Sequence, residues 1–77
     1  MDYELVGPIV KVEVIAVGGN IKDIMLLQKQ FGVGRWRKLK GIGTIRFSDG
    51  HTRQVEMHWY EAHGRGKCKM KIKRFLD

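Results

Sequence analysis

The sequence has one cysteine, one proline and no long apolar run, and each shortage closes off a class of protein. With Cys68 alone, no internal disulfide can form, and no Cys/His spacing matches a structural zinc site. No apolar stretch approaches the roughly 20 residues that span a bilayer. The first residues, Met-Asp-Tyr-Glu, lack the positive start and apolar run of a signal peptide, so the expected setting is the reducing cytoplasm, without membrane attachment. The near-absence of proline, with 43% hydrophobic against 30% charged residues, excludes a disordered chain. Seventy-seven residues leave room for a single domain, 1–77, near the lower size at which a core holds a fold without staples.

Acidic groups are also scarce. Eight Asp and Glu face fifteen Lys and Arg, giving a net charge of +7, and the excess sits after Gly34. A localised positive field suits a polyanionic partner, nucleic acid before all others, with an acidic protein as the alternative. Nothing in the composition calls for a cofactor or a metal.

What is present reads as an α+β domain: one helix packed on a small, mainly antiparallel sheet in the order β-α-β-β-β. Residues 8–17 are rich in valine and isoleucine and alternate with Lys11 and Glu13, which predicts a first strand starting at Pro8. Gly18-Gly19 ends it. Asn20 is placed to cap a helix over Ile21–Phe31, with Ile21, Ile24, Met25 and Phe31 on its core stripe and Gly32 as its C-cap. Strand two is expected over Leu39–Phe47, followed by a turn at Ser48-Asp49-Gly50. A three-residue hairpin there sets Phe47 opposite His51, Gly43 opposite Val55, Gly41 opposite Met57 and Leu39 opposite Trp59. On the other face it sets Ile42 opposite Glu56 and Lys40 opposite His58. The two glycines imply that something bulky crosses them, either Met57 and Trp59 or the helix.

The third strand interleaves two patterns. Val55, Met57 and Trp59 share one face, and Glu56, His58 and Tyr60 share the other. Strand four, from Cys68 to Phe75, alternates Cys68, Met70 and Ile72 with Lys69, Lys71 and Lys73. Matching the apolar faces puts Glu56 beside Lys73, His58 beside Lys71 and Tyr60 beside Lys69. The expected phosphate-binding set is Lys40, Arg46, Lys69, Lys71 and Lys73 on the sheet, extended by Arg35, Trp36, Arg37 and Lys38 before strand two and by Arg65 and Lys67 after strand three. Trp36, flanked by cations, would stack a base while its neighbours hold phosphates, although an indole covering the edge of a small core fits the same pattern. Lysines spaced along an edge strand also serve to prevent pairing between molecules.

Glu56, His58, Tyr60 and Lys71 form the candidate catalytic group. Cleavage of RNA by its own 2′-hydroxyl needs a base, an acid and a cation for the charge that develops on phosphorus, and these side chains supply all three types without a metal.

The runs Trp36-Arg37-Lys38-Leu39-Lys40-Gly41, His58-Trp59-Tyr60-Glu61-Ala62-His63-Gly64 and Lys71-Ile72-Lys73-Arg74-Phe75-Leu76 resemble a group of small prokaryotic proteins with no established activity. In architecture alone, a helix followed by antiparallel strands with a basic, His-bearing face is similar to the metal-independent ribonuclease toxins of the RelE and barnase-like type. The leading expectation is a nucleic-acid-binding domain, with RNA favoured. The alternatives are a toxin-like ribonuclease and an interaction protein for an acidic partner such as an antitoxin.

Overall fold

A computed structural model describes residues 2–77. Four strands, β1 (Tyr3–Val17), β2 (Arg37–Phe47), β3 (Thr52–Ala62) and β4 (Arg65–Phe75), form an antiparallel sheet in the order β1-β2-β3-β4. A short 3-10 turn (Gly18–Asn20) and one helix, α1 (Ile24–Phe31), link β1 to β2.

The α+β expectation is overturned by proportion. An eight-residue helix is about 12 Å long, whereas the molecule extends 40 Å along its principal axis. The helix therefore closes one end of a β structure and cannot form a layer over it. It is shorter than the apolar pattern implies because Gly18–Asn20 turn on their own, with the Ile21 amide donating to the Gly18 carbonyl at 2.9 Å, and Ile21 stays extended. Asp23, not Asn20, precedes the helix, and no side chain caps it. Gly32 ends it at φ 105°, as its freedom from a Cβ allows. Ile21 and Leu27 are buried, but Met25 is 79% exposed and faces solvent instead of the core.

The sheet has an apolar cluster on each face. One gathers Leu39, Ile45, Val55, Met57 and Trp59, with Ile9, Phe47, Met70 and Ile72 packed against it. Among the described residues no helix covers this side. The strands curl over it, and Gly41 and Gly43 make the room: a Cβ on Gly41 would stand 2.5 Å from Ile9 Cγ2 and 3.1 Å from the Trp59 ring. On Gly43 it would meet Leu5 at 2.9 Å and Met57 at 3.0 Å. The other cluster gathers Ile21, Leu27, Trp36, Tyr60 and Ala62 beneath α1. The helix thus packs on the face of His58 and Tyr60, not over the glycines.

Register between β2 and β3 is regular from Arg37↔Glu61 to Arg46↔Thr52 and includes the expected pairs of Leu39, Lys40, Gly41, Ile42 and Gly43. The turn is also as expected, with the Phe47 amide donating to the His51 carbonyl at 2.8 Å. Both outer strands are irregular. β1 slips against β2 at three places, including the stretch around Gly7 and Pro8 and that around Lys11, whose φ is 53°. β4 slips at three places against β3, and Lys69 also has φ 53°. Such bulges add local twist and bend an edge strand, which is how the sheet folds over its own core. Among the described residues no helix is long and apolar enough to cross a membrane.

Candidate nucleic-acid interface

Cross-strand rows define the polar face. One row runs Glu13–Lys40–His58–Lys71 across all four strands, the next runs Val10–Ile42–Glu56–Arg74, and a third runs Ala16–Lys38–Tyr60–Cys68. Lys71 stands beside His58 as expected. The other two expected pairs do not form, because the bulges in β4 shift the register: Glu56 faces Arg74 instead of Lys73, and Tyr60 faces Cys68 instead of Lys69.

Much of the charge on the sheet is neutralised internally, on both of its faces. Glu13 lies 3.1 Å from Lys40, and Glu4 accepts from Arg46 Nε at 2.9 Å. Arg37 is 3.2 Å from Glu61, and Arg74 is 3.0 Å from Glu56. At the far end Arg53 Nε donates to Asp77 at 2.9 Å, and that bond holds the Asp77 carboxyl below its usual range. Lys40, Arg46 and Arg37, three expected phosphate ligands, are therefore already occupied. The carboxylates that occupy Lys40 and Arg46 come from β1, whose register against β2 is irregular and leaves no simple periodic signal.

The aromatic rings turn inward. Trp36 is 1% exposed, with its Nε1 donating to the Gly32 carbonyl at 3.0 Å and its ring 5.9 Å from that of Phe31. It cannot stack on a base, and its flanking cations are arranged around a core residue. Arg65 lies over the Trp36 ring with its guanidinium carbon 5.9 Å from the centroid, beside Gly32 at the carbonyl end of α1, where a positive charge is favourable. Lys38 Nζ sits 5.8 Å from the Tyr60 centroid. Arg35 remains exposed in the segment before β2.

Of the four candidate catalytic residues, Glu56 and His58 meet and Lys71 stands in the row of His58, but Tyr60 is turned into the core. Tyr60 is buried beneath α1, and burial raises its phenol above the usual range, with Asp23 adding a smaller push the same way. His58 is 8% exposed, and its Nε2 lies 2.6 Å from Glu56 Oε2, which as a carboxylate accepts the ring proton. Its Nδ1 is sealed from solvent and has no partner among the described residues. A phosphodiester cannot reach that nitrogen without moving the strand. The Glu56 carboxyl is held below its ordinary value by the hydrogen bond from His58 and by the charge of Arg74, which outweigh the opposing effect of burial. Glu56–His58–Arg74 is a tie within and between strands, and Arg74 is the member that sequence parity hides.

The cations left without a carboxylate concentrate on β4. Lys67, Lys69, Lys71 and Lys73 are all exposed, and none has an ion-pair partner among the described residues. Comparison with family models, with curated proteins and with solved structures gives no match, so the assignment of a role rests on this geometry.

Proposed function

We propose that the protein binds nucleic acid through the free edge of β4. The observation that carries this reading is the partition of charge: acidic side chains pair with Arg37, Lys40 and Arg46 of β2, whereas Lys67, Lys69, Lys71 and Lys73 of β4 stay open. Alternate residues on a strand are about 6.6 Å apart, so four lysines set along one edge can contact several phosphates of a polyanion together. Contacts of this kind fix affinity and make it fall with salt, while carrying no base preference. With the Trp36 ring buried and unable to stack a base, the ligand class supported is nucleic acid held by its backbone. The free Cys68 thiol suits a reducing cytoplasm, which belongs to the same proposal.

The test is fluorescence anisotropy of a labelled oligonucleotide over a salt series. Lys69→Ala and Lys71→Ala should each lower the slope of log K against log salt by about one. Lys40→Ala and Arg46→Ala should leave that slope unchanged, since both cations are already paired. Equal losses in the two groups, or no binding at low salt, would reject the reading and leave an acidic protein as the partner to seek.

A further inference from the structure

The β4 edge carries its charge on both sides, which narrows the ligand and rests on the binding role proposed above. In an uninterrupted strand, lysines at alternate positions share a face. The bulges in β4 break that rule. Lys71 keeps register with His58, on the polar face. Lys67 Nζ stands 5.9 Å from the ring centroid of Trp59, which belongs to the opposite, apolar face. Lys69 and Lys73 fall at the register slips, Lys69 with φ 53°. The cations therefore straddle one free edge. A single strand lying along either face would leave the other side's lysine in water.

Of the rings at this edge, Trp59 and Tyr60 are 1% and 6% exposed, and Phe75, 39% exposed at the end of β4, has the Arg53 guanidinium over its ring, 4.6 Å from the centroid. They offer no row of open rings of the kind on which single-strand binders stack successive bases. We infer that the β4 edge enters the major groove of B-form duplex DNA, with Lys67 facing the phosphates of one strand and Lys71 those of the other. One sheet layer occupies about 10 Å, and the B-form major groove, about 12 Å wide, admits a β-ribbon. The major groove of duplex RNA is deep, narrow and closed to side chains. Lysines reaching phosphates on both walls position the sheet without reading bases.

Four labelled probes of equal length, duplex DNA, duplex RNA, single-stranded DNA and single-stranded RNA, distinguish the outcomes when titrated with the full chain. Duplex DNA should bind tightest, with a salt slope of about −3.6 for four neutralised phosphates. Lys67→Ala and Lys71→Ala should each bring that slope to about −2.7, with unchanged circular dichroism to show that the fold persists. Tighter binding of either single strand or of duplex RNA overturns the groove assignment while leaving the binding role standing. So does a loss confined to only one of the two lysines. Failure of all four probes at low salt overturns the binding role itself.

Discussion

His58 Nε2 lies 2.6 Å from one oxygen of Glu56, and Arg74 lies 3.0 Å from the other, so a single carboxylate holds an imidazole on its own strand and a guanidinium on the next. Because these contacts lower the Glu56 pKa, the stability they supply is present above the ordinary carboxylate range. It is lost as pH falls through the depressed value. Glu56→Gln should therefore lower the melting temperature at neutral pH and flatten the acid limb of a melting-temperature-versus-pH curve. An unchanged acid limb in the variant would contradict the role of this carboxylate.

Tyr60 has the opposite sign. Its phenol is raised by burial, so above the ordinary tyrosine range the unfolded chain ionises while the folded one resists, and stability falls as pH rises. Ultraviolet titration should show one tyrosine ionising late, and Tyr60→Phe should remove that late phase.

Trp36 and Met25 differ in burial, 1% against 79% exposed, although both stand out as large apolar residues near α1. Trp36→Ala should cost about 3–5 kcal/mol, the usual penalty for emptying a large core site. Met25→Ser should stay within about 0.5 kcal/mol of wild type. Urea denaturation followed by tryptophan fluorescence separates the two, with circular dichroism as the probe for the Trp36 variant.

Among the glycines, space decides. Gly41→Ala presses a methyl group against Ile9, the Trp59 ring and the Val10 carbonyl, and should cost about 1–3 kcal/mol. Gly43→Ala meets the ends of the Leu5 and Met57 side chains, which can shift, and should cost less. Gly66→Ala has nothing within 4 Å and should be neutral or stabilising by up to about 1 kcal/mol. Midpoints from parallel denaturation curves give this ranking.

The centre of the sheet was legible in the sequence and its edges were not. Strict alternation in Val55–Glu61 and a glycine-containing turn at Ser48–Gly50 determine the β2–β3 register, because slipping by one residue would turn the core face to solvent. The bulges at Lys11 and Lys69 have no such signature: a lysine with positive φ stands where glycine would have announced the turn of the chain. The lysine ladder drawn from plain alternation was lost at Lys69 and at the further slip at Lys73, and with it the neighbours assigned to Tyr60 and Glu56. Trp36 left two readings open, a stacking ring and a cover for the edge of the core, and its burial bears out the second. Its flanking Arg35, Arg37 and Lys38 describe the surface around it, and local composition cannot show that the indole turns under a helix. The helix itself was recognisable from Gly32 and its apolar spacing, but not its brevity, which depends on Ile21 serving the core in an extended conformation.

The order β1-β2-β3-β4 means that each strand pairs only with its neighbours in the chain. Short turns join β2 to β3 and β3 to β4, so these three strands can assemble hairpin upon hairpin, while β1 joins across residues 18–36, which hold α1; such neighbour-to-neighbour wiring favours fast folding among β proteins. The same wiring separates the fates of the two margins. Either outer strand can peel away while β2 and β3 stay joined, so hydrogen exchange should reach deepest protection in the central hairpin and decline outward toward the lysine-bearing edge.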